Sequence, residues 1–222
     1  MTTVLDGTAP ASAARLYAEG LRAANAGLAH NLIVCDDSGR RAPLALHTWC
    51  AAHVPGDDSL LARCTGVTLD VGCGPGRLTA ALTAQGLPAL GLDVTATAVV
   101  LARSRGAAAL RASIFDALPA EGHWDTVVLA DGNIGIGGDP AALLSRCGAL
   151  LPGNGRVVVE LDPPGHTRRT RLRLASPTRH SEWFAWAHVG ADAVRPLAWK
   201  AGFSTGEVWT EARRWFAVLA QA

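Results

Sequence analysis

Short apolar runs and stretches of helical period take turns along most of this 222-residue chain. Val67-Thr68-Leu69-Asp70-Val71 reads as a buried strand, and the run from Leu78 to Leu82 starts an amphipathic helix that closes at Gly86. The pattern then repeats, with a strand over 89–92, a helix over 96–104 stopped by Gly106, and a strand over 108–112. Thr126-Val127-Val128-Leu129-Ala130 is a fourth strand. Asp139-Pro140 offers an N-cap and an N1 proline to a helix through Leu143, Leu144, Cys147 and Leu150. Pro152-Gly153-Asn154-Gly155 then turns the chain into a strand over 156–161. Successive βα units predict an α/β fold whose parallel sheet is covered by helices on both faces. A helix near 191–201 and two segments over 206–210 and 214–220, which read as a hairpin, end the chain.

The first part of the chain departs from that alternation. Residues 1–9 read as disordered, and Ser12 is placed to cap a helix over 13–25 whose apolar positions include Leu16 and Leu21. A second helical piece over 45–52, with Leu46, Trp49 and Cys50, follows the turn-rich Asp36-Asp37-Ser38-Gly39. This divides the chain into a small N-terminal helical cap, 1–59, and a main domain, 60–222. Tyr17, the only tyrosine, lies on the first helix, where it could close over a ligand.

Composition narrows the partners. The formal net charge is +1, 49% of residues are hydrophobic and no apolar run reaches membrane-spanning length, so neither nucleic acid nor a membrane is called for. The opening Met1-Thr2-Thr3-Val4-Leu5-Asp6 lacks the basic and apolar regions of a signal peptide, so a cytoplasmic protein is expected. Five scattered cysteines without C-x-x-C spacing point to neither a disulfide framework nor a metal site. Nothing in the sequence sets the oligomeric state.

The candidate chemistry sits where the first main-domain strand breaks into Gly72-Cys73-Gly74-Pro75-Gly76. Glycines at a strand-to-helix turn bring bare backbone against a ligand. A dinucleotide loop would want a glycine where Arg77 stands, and Asp70 would repel a pyrophosphate while attracting ammonium and sulfonium groups. With Asp70-x-Gly72-x-Gly74-x-Gly76 the sequence resembles the class I S-adenosylmethionine-dependent methyltransferases of small-molecule type, over roughly Leu60 to the C-terminus. The resemblance implies a Rossmann-like methyltransferase fold, with a seven-stranded, mostly parallel sheet ending in an antiparallel C-terminal hairpin. It also implies S-adenosylmethionine as cofactor and in-line methyl transfer to an oxygen or nitrogen of a small-molecule acceptor. Three other readings stay open: cyclisation or elimination with the same cofactor, a non-catalytic cofactor-binding scaffold, and a dinucleotide oxidoreductase, against which Arg77 argues.

Ligands of open parallel sheets lie beyond the C-terminal ends of the strands. By resemblance, the backbone of Gly72, Cys73, Gly74 and Gly76 borders the methionine part of the cofactor, and Asp70 orients its amino group. Asp93, followed by Val94, is placed for both ribose hydroxyls, or else caps the helix that begins at Ala96. Ser113 stands where many relatives carry an aspartate for the adenine amino group, and Ile114 offers a backbone N–H and an apolar face. Asp116 is either a compensating acid or a loop residue. After the fourth strand, Asp131 is a candidate base that could equally contact cofactor, and His166, after the fifth, is the other catalytic candidate. His30, His180 and His188 rank lower because no spacing ties them to the site. The glycines of Ile134-Gly135-Ile136-Gly137-Gly138 either cradle an anionic group of the acceptor or let the chain turn tightly. Between His166 and Trp186, Arg171 and Arg173 alternate with Leu172 and Leu174. That segment is either a lid, its arginines on an anionic acceptor and its tryptophans against a planar one, or a solvated strand on core tryptophans.

Overall fold

The computed structural model describes residues 11–221, so the stretch 1–9, expected to be disordered, lies outside the described residues. Helix α1 (Ala13–Asn25) leads to strands β1 (Ile33–Asp36) and β2 (Arg41–Pro43), then to the short helices α2 (Leu46–Cys50) and α3 (Asp57–Leu61). The expected alternation follows as β3 (Thr68–Val71), α4 (Arg77–Ala84), β4 (Ala89–Asp93), α5 (Ala96–Ser104), β5 (Ala109–Arg111), β6 (Thr126–Leu129), α6 (Pro140–Leu150) and β7 (Arg156–Leu161). A tight 3-10 segment, Asn133–Gly138, links β6 to α6. Strands β8 (Arg168–Ala175) and β9 (Phe184–His188), helix α7 (Val194–Lys200) and strands β10 (Phe203–Glu211) and β11 (Arg214–Gln221) complete the fold.

Seven strands form one sheet in the order β10-β11-β7-β6-β3-β4-β5. All neighbours from β7 to β5 run parallel, whereas β11 is antiparallel to both β7 and β10, as the resemblance implied. Every residue of β3 and β6 is buried, which is why these strands are mostly apolar, with Thr68, Asp70 and Thr126 as the polar exceptions. Alternate residues serve opposite faces: Val127 and Leu129 pack with Leu143, Leu144, Cys147 and Leu150 of α6, while Val128 joins Leu78, Leu82 and Phe216. Strand order reverses between β3 and β6, opening a crevice at their C-terminal ends.

The cap differs from the helical piece expected. Strands β1 and β2 belong to a second, four-stranded antiparallel sheet, β2-β1-β8-β9, in which Cys35 pairs with Arg173 and Thr170 with Trp186. The N-terminal stretch and the insertion after β7 therefore build one layer together. Ser12 stands at the N-cap of α1 but its hydroxyl caps nothing; the Ala13 N–H is instead bound by Glu182 of the insertion at 3.0 Å. Asp139 does cap α6, accepting from the Ala141 and Ala142 N–H groups at 3.1 and 3.2 Å. The 3-10 segment fixes this layer to the main sheet. A Cβ on Gly135 would lie 2.1 Å from the Ala187 carbonyl oxygen, so its glycine serves close packing against β9 rather than an open anion cradle.

Candidate active site

Two adjoining cavities occupy the crevice. A small one of about 60 Å³ lies under the glycine loop, bordered by Asp70, Gly72, Cys73, Gly74, Arg77 and Asp131. A larger one of about 670 Å³, within the range of small-molecule sites, runs from Asp93, Val94, Ser113 and Ile114 outward beneath the cap sheet. Tyr17 and Trp49, packed edge to face with ring centroids 6.1 Å apart, border both. Helix α1 thus covers the loop, as the position of Tyr17 suggested.

The loop holds its shape through backbone that only glycine adopts easily. Gly72, Gly74 and Gly76 have φ of +72°, +52° and +83°. The Gly74 N–H donates to Asp93 Oδ2 at 3.1 Å, and Thr95 N–H donates to Asp93 Oδ1 at 2.7 Å, so Asp93 both ties the loop to β4 and caps the start of α5. Burial raises its pKa, with those two N–H groups opposing the rise. The structure sets Gly76 apart from its neighbours in the motif: a Cβ there would come 2.7 Å from the Ala102 Cβ on α5, so this glycine permits close packing and borders neither cavity. Asp70 is buried and accepts from the Thr79 hydroxyl at 2.6 Å; burial pushes its pKa up to about 6. The Cys73 thiol is pushed up by burial as well.

Arg77 is more than an obstacle to dinucleotides. Its guanidinium, 3% exposed, pairs with Asp57 and, at 2.6 Å, with Asp131, while Arg214 joins Asp57 and Glu160 in the same cluster. The Nε of Arg77 is buried without a partner among the described residues, beside the small cavity. Asp131 sits in left-handed backbone, φ +53°, with its N–H donating to Glu160 at 2.7 Å. Burial raises its pKa and the Arg77 charge opposes the rise. The Ser113 hydroxyl accepts from the Phe115 N–H at 3.2 Å, and Asp116 accepts from the Ser113 N–H at 2.8 Å, so Asp116 closes the turn after β5.

At the outer end, the structure parts from the sequence reading. His166 is exposed and lines a surface pocket that shares Asp162 and His188 with the large cavity, which His166 itself does not border. His188, ranked low from sequence, borders the large cavity beside Asp162, with Nδ1 3.0 Å from a carboxylate oxygen. Leu172 and Leu174 line the cavity, whereas Arg171 and Arg173 point away, toward Trp183 at 5.9 and 4.7 Å. Trp183 is exposed with Arg171, Arg173 is half-buried, and Phe184 and Trp186 form the inner wall. Among the described residues, no group of three or more His, Cys, Asp or Glu is arranged to hold a metal ion.

Residues 68–155 match the family model of the methyltransferase domain. The span from β3 to the turn before β7 is similar to that domain. The same fold recurs in a methyltransferase from Bacteroides fragilis, solved with S-adenosylhomocysteine, at 20% identity and a TM-score of 0.81 over 97% of this chain and 98% of that one. It recurs in a Burkholderia thailandensis 1,6-didemethyltoxoflavin N1-methyltransferase, at 20% identity and 0.59 over 97% and 93%. A sugar N-methyltransferase from a Streptoalloteichus species shares it at 20% identity and 0.55 over 74% and 84%. No curated protein sequence matches the chain. The matched span of the methyltransferase domain holds the glycine loop and Asp93 but stops short of β7, so Asp162, His188 and the cap sheet lie outside it. Only one sequence signal could have tied His188 to the site: Asp162 directly follows the parallel strand β7, and any histidine brought to it in space would gain a carboxylate partner.

Proposed function

We propose that the protein uses S-adenosylmethionine to methylate an oxygen or nitrogen of a small-molecule acceptor. The paired cavities carry this reading. The small one combines the Asp70 carboxylate with the unpartnered Nε–H of Arg77, a lining complementary to an ammonium and a carboxylate on one ligand. Gly72 and Gly74 let protein side chains close on the loop: a Cβ on Gly72 would come 2.6 Å from the Asn133 amide, and one on Gly74 3.3 Å from the Tyr17 hydroxyl. Asp93 suits the ribose hydroxyls, and Val94, Ser113 and Ile114 border the space for the adenine. When bound, the cofactor supplies a methyl group on a sulfonium, an already activated leaving group. The chain then has to align the acceptor, keep water out with apolar walls and, for a protonated acceptor, take a proton. Two arginines hold Asp131, so we assign it to anchoring the loop and the cofactor; His166, outside the cavity, has no part in this reading. Small acceptors are in keeping with the toxoflavin and sugar substrates named for two relatives.

Calorimetry with S-adenosylhomocysteine in chelator tests the reading. The parent should bind in the micromolar range, and Asp93→Ala should lose about 2–4 kcal/mol, roughly thirty-fold to a thousand-fold, as both ribose hydroxyls lose a charged partner. No binding by the parent, or unchanged affinity in a folded Asp93→Ala protein, would contradict it.

A further inference from the structure

The outer half of the large cavity carries a chemical signature of its own. No arginine or lysine borders the cavity among the described residues. Its charged groups are all acidic: Asp93, Asp131, Glu160 and Asp162. Arg77 and Arg214 answer Asp131 and Glu160 from behind, whereas Asp162 has only His188. On the cavity side of that pair the walls are apolar, while its outer side borders the surface pocket of Arg40, His166 and Arg168. Val34 and Leu44 come from the N-terminal stretch, Leu172 and Leu174 from β8, and Phe184 and Trp186 from β9. The two rings of β9 stand edge to face with centroids 6.2 Å apart, a geometry that leaves flat aromatic surface to a ligand. Arg171 and Arg173 of β8 are turned away from the cavity, toward Trp183 and Asp37, while Arg168, Arg169 and Arg179 pair with Asp36, Asp139 and Glu19.

We infer that the acceptor is an uncharged, planar, largely apolar molecule whose O–H or N–H meets the His188–Asp162 pair, and that an acceptor carrying a carboxylate or phosphate is excluded. The inference rests on the proposed function and adds the class of acceptor. With Nδ1–H donating to Asp162, His188 Nε2 carries the free lone pair, and the hydrogen-bonded carboxylate steadies the ring and any imidazolium formed. As the acceptor O–H or N–H bond breaks, its proton moves to Nε2. Its electron pair stays on the acceptor atom, and His188 becomes the cation that Asp162 balances. An anion in the same place would meet the Asp162 carboxylate, with no arginine or lysine on the cavity wall among the described residues to offset it.

Titration calorimetry on the protein saturated with S-adenosylhomocysteine decides the matter, with 2-naphthol, indole, naphthalene and 2-naphthoate as probes. The account expects 2-naphthol and indole to bind and 2-naphthoate to bind at least about thirty-fold more weakly than 2-naphthol, as like charges meet. It also expects about a ten-fold preference for 2-naphthol over naphthalene, the worth of one hydrogen bond. His188→Ala should erase that preference while leaving S-adenosylhomocysteine binding unchanged; should that variant not fold, His188→Phe makes the same comparison. Naphthoate binding as tight as naphthol, or no binding of either neutral X–H probe to the saturated protein, would overturn the acceptor class. A naphthol preference that survives loss of the imidazole would overturn the role of His188. Failure of S-adenosylhomocysteine itself to bind would instead strike the proposed function.

Discussion

A single buried carboxylate shows how this site trades stability for binding. Asp70 is 2% exposed and its pKa stands at about 6 against an ordinary value of 3.8. A gap of that size corresponds to roughly 3 kcal/mol by which the folded state disfavours the ionised form. The folded state holds the proton more tightly than the unfolded chain, so this group lowers stability at neutral pH, and the loss disappears as pH falls from above 6 toward 4. Asp70→Asn keeps an oxygen to accept from Thr79 and removes the buried charge. Thermal unfolding should therefore show the variant more stable than the parent at pH 7.5, with the difference shrinking by pH 5, while its affinity for S-adenosylhomocysteine falls. A variant less stable at both pH values would show that the charge is compensated within the fold. Much of this residue scale was legible: strand ends, glycine spacing and Asp93 are local, and all of them border the crevice except Gly76. Arg77 was half legible. Its place in the loop argued against a dinucleotide, but its partners Asp57 and Asp131 lie 20 and 54 residues away, where no spacing rule reaches.

Among the elements, the hairpin of β8 and β9 teaches the sharper lesson. Alternation of Arg171 and Arg173 with Leu172 and Leu174 correctly announced a strand with two unlike faces. It could not say which face turns inward, because that depends on what the strand lies over. Here the strand pairs with β1 and roofs an apolar cavity, so burial of the leucines decides it and the arginines face away from the cavity. Arg171→Ala with Arg173→Ala should thus leave the Michaelis constant of a turned-over acceptor within about two-fold, since neither side chain borders the cavity. Trp186→Ala, which removes a ring from the cavity wall, should raise it about ten-fold or more without changing S-adenosylhomocysteine affinity. Steady-state kinetics on any acceptor found by product screening makes the comparison. A large effect from the arginines and none from Trp186 would reverse the assignment of faces.

Taken whole, the molecule is a regular seven-stranded scaffold roofed by a layer drawn from two distant parts of the chain. The scaffold was readable because each βα unit announces itself within about thirty residues. The roof was not, because β1 and β8 are paired across more than a hundred residues and β1 is only four residues long. Under the proposed function, the same division separates the cofactor half of the site, built mainly on the scaffold, from the acceptor half, held by the roof. That division is the central claim, and a crystal structure with S-adenosylhomocysteine bound tests it most directly. The account predicts the ribose hydroxyls on Asp93, the amino and carboxylate groups between Asp70 and Arg77, and the sulfur facing the space bounded by Trp186 and His188. A ligand whose ribose lies away from Asp93, or whose sulfur points away from the roof, would contradict it.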